Sequence, residues 1–356
     1  MAGFEDTETI DPARAGGRPG RGSAYAELSR QVRQAGLLDR RPVYYTAKVA
    51  GHALLFAAGW AAFLLLGDSW WQLASAAFLA FVFAQAGFLG HDAGHHQIFR
   101  TRKANDVVGL VHGNLLIGLS YGWWVGKHTR HHSNPNHLDL DPDISIGAIA
   151  FTADQAQAKR GLTKTIARYQ AYLFFPILLL EGVHLHTASI KAVLRSDGVR
   201  HRRLEGGLLL VHLAAYLGAV LLVLPPLKAA AFVLVQQGLF GLYLGCAFAP
   251  NHKGMPVVGQ GDELDFLRRQ VLTSRNVRGG RFVDFALGGL NYQIEHHLFP
   301  SMPRPNLRRS QALIKRFCGE RGLDHSQASL FGSYGEALRH LHEVGAPLRQ
   351  AAATTE

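Results

Sequence analysis

Four apolar runs, Val43 to Leu66, Trp70 to Gly90, Gly206 to Leu224 and Leu227 to Ala249, limit this chain more than any other feature. Each is long enough to cross the ~30 Å hydrocarbon layer of a bilayer as a helix, and a helix satisfies its own backbone there. The turns within the pairs, Gly67-Asp68-Ser69 and Pro225-Pro226, are so short that each pair must run antiparallel. One membrane face therefore receives little beyond these turns, and the rest of the chain lies on the other. Composition agrees, since hydrophobic residues make up 48% and charged residues only 18%, against about 25% in soluble domains. The expected fold is an all-α membrane protein with four transmembrane helices in two hairpins and a helical cap.

Charge assigns the cap a side. Of 37 Lys and Arg, residues 1–42 hold 7, residues 91–205 hold 14 and residues 250–356 hold 14, with Lys48 and Lys228 the exceptions. By the positive-inside rule the cap and both termini are cytoplasmic. The formal +11 thus follows topology, and with no nucleic-acid motif beside it no nucleic acid is expected as a partner. No G-x-G-x-x-G or P-loop pattern is present either. Cys246 and Cys318 are too few for a thiolate zinc site, so any metal is held by nitrogen and oxygen. The expected organisation is a partly disordered N-terminal arm over residues 1–42, a membrane domain over 43–307 and a helical tail over 308–356. Leu307 to Phe317 and Tyr334 to Leu341 have helical spacing of apolar residues and are expected to pack beneath the membrane domain.

Histidines supply the chemistry. HTRHH places His128, His131 and His132 at i, i+3 and i+4, on one helix face where they can converge on a single metal-sized volume. HDAGHH offers His91, His95 and His96 where the second apolar run ends. QIEHH repeats the i, i+3, i+4 pattern with Gln293, His296 and His297, and His252 follows the fourth run. One such pair is more often a surface face or a hydrogen-bonded cluster than a ligand set. Three of them at one membrane depth make a shared metal centre the strong reading. Sharing it requires that Val107 to Tyr121 not cross the membrane, because a single crossing would put His91 and His128 on opposite faces; this stretch and Tyr169 to His184 are expected to be interfacial or re-entrant. Eight or nine imidazoles exceed one coordination sphere, so two ions are implied. Ligand softness leaves iron, zinc, copper and nickel open, and a redox-active pair in a membrane points to oxygen activation. His52, His112, His184, His186, His201, His212, His325, His340 and His342 lack the shared spacing and are expected to have structural or surface roles. Trp70, Trp71, Trp123 and Trp124 read as interfacial anchors, the last two also as a substrate entrance.

HDAGHH, KHTRHHSNPN and NYQIEHHLFP resemble the three histidine boxes of the membrane-bound fatty acid desaturases in order, spacing and flanking residues. The resemblance runs from about Val43 to Leu307, and Gln293 in place of the third box's first histidine is similar to the front-end subgroup. It implies a di-iron centre of two non-haem iron ions on the cytoplasmic face, with dioxygen as co-substrate. Two hydrogens would leave adjacent methylenes of a long fatty acyl chain, carried as acyl-CoA or acyl-lipid, to give a cis double bond. By motif position the ligands would be His91, His95, His128, His131, His132, His296 and His297, with His252 as the family's further histidine. Box one leaves His95 and His96 as alternatives, of which His95 shares a face with His91. Gln293 could donate its amide oxygen directly or through water, and Asp92, Asp139, Asp141, Asp143 and Glu295 are candidates to accept the outer imidazole N–H groups. With no HPGG haem motif, electrons would come from a separate donor such as a ferredoxin, cytochrome b5 or reductase. The rivals are an acyl hydroxylase, sphingolipid desaturase or carotenoid-modifying oxygenase and, from another class, a histidine-rich transporter or metal sensor. A transporter needs ionisable groups along its path, and the apolar runs are almost free of charge.

Overall fold

The computed structural model describes residues 23–353 apart from 146, 196–197 and 260. The first 22 residues of the expected N-terminal arm lie outside the described residues. Within the rest of that arm, Ser23 caps helix α1 (Ala24–Gln34), its hydroxyl accepting the Ala26 N–H, and Leu28 and Val32 are buried in a core with Ile314 and Phe317.

Pro42, whose ring presets a helical φ and whose missing N–H is not needed in the first turn, opens α2 (Pro42–Leu66). Gly67 ends it at a φ of +55° that disfavours side chains. The buried amide of Gln72, first residue of α3 (Gln72–Gly94), donates to the carbonyls of Phe63 (2.6 Å) and Gly67 (2.9 Å), so carbonyls the ending helix leaves open are used to close the hairpin. The chain then runs through α4 (Arg102–Gly109) into a π-helical turn over Leu110–Leu116, reverses at Gly118 with φ +68°, and enters α5 (Tyr121–Ser133). The stretch expected to be interfacial or re-entrant thus folds back on itself, with the Leu119 N–H bonded to the Gly113 carbonyl at 2.8 Å.

Short helices α6 (Ala153–Ala158) and α7 (Gly161–Arg168) lead to α8 (Gln170–Leu178) and α9 (Glu181–Arg195), which bend by 68° at their junction. Counted as one span, this pair would make a fifth crossing. Its hydrogen bonds argue for a re-entrant pair, because the Gln170 amide donates to the carbonyls of Ala150 and Leu341 in the cap while Ser189 on α9 accepts the Ser120 N–H beside α5. The second hairpin is α10 (Arg202–Val223) and α11 (Pro226–His252).

Among the described residues four helices, α2, α3, α10 and α11, are long and apolar enough to span a membrane, as the apolar runs require. In α3, 67% of the apolar window is buried, against 17% in α2, so α3 is the central strut and α2 a lipid-facing flank. Phe63, Phe83, Phe232 and Phe240 fill the core between the hairpins. The cap is completed by α12 (Phe266–Leu272), strand β1 (Asn276–Arg278), α13 (Arg281–Ala286), α14 (Gln293–Leu298), α15 (Arg304–Gly319), strand β2 (Gln327–Ser329) and α16 (Leu330–Ala353). β1 and β2 pair in parallel with Asn276 opposite Gln327.

Candidate metal centre

The two central spans run on past the apolar layer, and this carries histidines into the cap. His91 lies in the last turn of α3, His95 is its C-cap, and His252 is the last residue of α11. α5 brings His128, His131 and His132, and α14 brings Gln293, His296 and His297. These side chains form two groups. One nitrogen each from His91, His95, His128 and His296 lies within 4.8 Å of the others, and the same holds for His131, His252 and His297.

His132 stands between the groups, its Nε2 3.1 Å from His128 Nε2 and its ring stacked 4.1 Å from that of His297. The HTRHH face therefore does not converge on one volume as its spacing led us to expect. Positions i, i+3 and i+4 spread over about 100° of a 3.6-residue helix, wide enough to serve two adjacent volumes.

The outer nitrogens are fixed by acceptors. His131 Nδ1 donates to both oxygens of Asp141 at 3.0 Å, His252 Nδ1 to the Thr273 carbonyl at 2.9 Å, and His297 Nδ1 to Gln270 Oε1 at 2.8 Å. With those protons placed outward, each inner Nε2 carries a lone pair. His252 Nε2 nevertheless sits 3.1 Å from His297 Nε2 and 3.3 Å from His131 Nε2. The Gln293 amide N–H meets the His252 lone pair, but the His131 and His297 lone pairs still face that of His252 and repel it, a repulsion a metal cation among the three would remove. In the other group His91 Nε2, His95 Nε2 and both ring nitrogens of His296 are buried without a partner among the described residues, a costly arrangement that a cation would relieve. The Gln293 amide reaches His252 Nε2 at 2.8 Å, while its oxygen accepts from Asn251 at 3.3 Å.

Burial, and after it the neighbouring imidazoles, pushes His128, His132, His296 and His297 well below the ordinary histidine value of 6.5. These groups are neutral donors near pH 7, the form a metal requires. For His131, burial acts to lower the value, but the carboxylates of Asp143 and Asp141 prevail and raise it. Lys127 in turn holds Asp143 at 2.6 Å.

Among the carboxylates named from sequence, Asp141 and Asp143 contact His131, the latter at 3.4 Å, and Asp92 lies 3.5 Å from His91 Nδ1. Asp139 is exposed. Glu295 belongs to the third box yet turns away from the imidazoles, bonding His325 Nε2 at 2.8 Å and the Asn276 amide at 2.7 Å. His96, at φ +54°, has Asp106, Arg102 and Arg40 as its charged neighbours and joins neither group. Trp124 is not a simple interfacial anchor, because its ring stacks on His128 at 4.4 Å and lies 5.5 Å from His91. Sequence reasoning missed Gln270 and Thr273, which stand in no motif, and it set His325 among the structural histidines without a partner.

Four helices long and apolar enough to span a membrane, with neutral imidazoles gathered at their cap end, define a membrane protein with two side-chain groups that could hold a metal. The chain belongs to the fatty acid desaturase family, whose model "Fatty acid desaturase" matches residues 68–329. It is 34% identical over 334 residues to the "Acyl-lipid (9-3)-desaturase" of Physcomitrium patens, covering 90% of this chain and 62% of that protein. It is 30% identical over 346 residues to a "Delta(6)-fatty-acid desaturase" of Caenorhabditis elegans, with 93% and 76% covered. A "Delta 8-(E)-sphingolipid desaturase" of Emericella nidulans is 27% identical over 344 residues, with 91% and 62% covered. The chain thus spans less than two thirds of the first and third of these relatives.

Proposed function

We propose that this protein introduces a cis double bond into a long acyl chain at a centre of two non-haem irons. The observation that carries this reading is the convergence of inner Nε2 lone pairs in two adjacent groups. His91, His95, His128 and His296 would hold one iron, and His131, His252 and His297 the other, with the Gln293 amide beside the second and His132 between them. When bound, the irons supply the chemistry of dioxygen, which takes two hydrogens from the substrate, two electrons from a donor and two protons to become two waters.

The protein's own part is to bind, orient and exclude. Asp141, Thr273 and Gln270 keep imidazole protons on the outer nitrogens, so that the inner ones stay available. Trp124 lays an apolar wall against His128 and His91 that keeps water from that side of the site. Relatives named for acyl-lipid, fatty-acid and sphingolipid substrates support an acyl-bearing lipid. Gln293 and the Delta(5), Delta(6) and Delta(8) names among the relatives support insertion between an existing double bond and the carboxyl end. A redox donor such as a ferredoxin, cytochrome b5 or reductase supplies the electrons, and by the distribution of Lys and Arg the cap faces the cytoplasm.

The test is to express the chain with its reductant, supply saturated and unsaturated acyl chains in parallel, and locate new double bonds by mass spectrometry. New bonds on the carboxyl side of an existing one are expected. New bonds only in saturated chains would reject front-end selectivity, and hydroxylated products without new bonds would reject desaturation.

A further inference from the structure

One buried carboxylate belongs to neither imidazole group. Glu205, in the first turn of α10, is 1% exposed, and among the described residues no Lys, Arg or His forms an ion pair with it. An uncompensated buried charge is costly, so what surrounds it must offset the loss of water. Three donors converge on its Oε2: the Ser120 hydroxyl at 2.6 Å, the Gly122 N–H at 3.1 Å and the Asn114 amide at 3.3 Å.

Two of those donors lie at the start of α5, the helix that carries His128, His131 and His132. A helix leaves its first N–H groups without intrahelical partners. In α5 the Tyr121 N–H goes to Asn114 Oδ1, the Gly122 N–H to Glu205 and the Trp123 N–H to the Ser120 hydroxyl. Glu205 thus caps α5 from another element, and its negative charge sits at the positive end of the helix dipole. The fit is tight, since a Cβ on Gly122 would clash with Glu205 Oε1. Further bonds brace the same turn: His212, two turns along α10, donates to the Leu115 carbonyl, and His186 on α9 donates to that of Gly118.

We propose that Glu205 is a positioning residue for the metal centre, an anionic anchor that fixes the axial position and rotation of α5 and so sets where its three histidines meet those of α3, α11 and α14. The inference rests on reading the imidazole groups as a metal centre. His128 is six residues beyond Gly122, about 9 Å along a rigid helix, so a shift at the anchor is delivered to the ligands. Such sites tolerate only about 0.5 Å of displacement.

The experiment uses the full chain in detergent, stripped of metal and titrated with Co(II) or Fe(II), with thermal unfolding of the stripped protein measured in parallel. Glu205→Ala and Gly122→Ala should each weaken metal binding about tenfold or more and alter the Co(II) ligand-field spectrum. Glu205→Gln should recover most of the affinity, because one amide oxygen can replace the Oε2 on which all three donors converge. Wild-type affinity and spectrum in Glu205→Ala would overturn the proposal, as would metal loss only in proportion to unfolded protein. Should Glu205→Ala fail to fold, Gly122→Ala decides on the same criteria. A wild-type chain that binds no metal would instead defeat the metal-centre reading itself.

Discussion

His95 and His96 are neighbours in sequence on opposite sides of a helix end. His95 closes α3 with its ring 4.7 Å from that of His91, 4.9 Å from His128 and 4.5 Å from His132. His96 is thrown by its left-handed backbone toward Arg40, Arg102 and Asp106. His95→Ala should therefore reduce bound iron and abolish desaturation, whereas His96→Asn, a residue that tolerates the left-handed region, should retain both. Iron analysis beside product analysis decides, and the opposite pattern would exchange the two assignments. The same crowding makes the metal-free protein sensitive to acid. His128, His132, His296 and His297 titrate below 6.5 in the folded chain and near 6.5 when unfolded, so as pH falls below 6.5 the unfolded state takes up protons that the folded state refuses. Each costs about 1.4 kcal/mol per pH unit in that window, while His131, shifted the other way, contributes stability that is lost as pH rises above 6.5. The unfolding midpoint of chelated protein should drop steeply between pH 6.5 and 5.5, and above 6.5 it should change only by the smaller decline that the single residue His131 contributes. A flat profile throughout would mean that the imidazoles are hydrated rather than packed together.

At the scale of elements, the sequence was most legible where a pattern is local. Apolar runs gave the four spans to within a few residues, and the spacing in QIEHH gave a helix, because such periodicities are written in consecutive positions. The division of HTRHH between two groups was not legible, since it depends on where α3, α11 and α14 stand around α5. Gln270, Thr273 and Glu205 escaped for the same reason, each being an ordinary polar residue locally whose partner lies 21 or more residues away. Arg304 is another such case. At the start of α15, its guanidinium reaches Asp92 on α3 at 2.7 Å and the Phe88 carbonyl at 2.8 Å, joining box one to the segment after box three. Both side chains are buried, so removing only the cation strands a carboxylate beside His91. Arg304→Ala should cost about 3–5 kcal/mol of stability, and Arg304→Met combined with Asp92→Leu should cost less. Unfolding midpoints of the single and double variants check this, and a double variant less stable than the single one would contradict it.

At the scale of the whole molecule, the two lysines outside the basic segments become intelligible. Lys228 Nζ lies 2.7 Å from Asp68 Oδ1, so the turns of both hairpins meet on one face and the exceptional charge is neutralised there. Lys48, in the second turn of α2, lies near the cap end of its span, with its Nζ over the Phe285 ring at 4.8 Å. The segments outside the two hairpins therefore carry 35 of the 37 Lys and Arg, and by the positive-inside rule they should face the cytoplasm. Single reporter cysteines test this after Cys246 and Cys318 are replaced by Ala. Asp68→Cys disrupts only an exposed ion pair, worth about 0–1 kcal/mol, and Glu320→Cys lies on the exposed surface of the cap. In intact cells a membrane-impermeant maleimide should label position 68 at once and position 320 only after permeabilisation. Immediate labelling of position 320 would place the cap outside, away from cytoplasmic reductants and activated acyl chains. Labelling of both positions in intact cells would mean that the two hairpin turns and the cap share a face, which four crossings of the membrane in two hairpins do not allow.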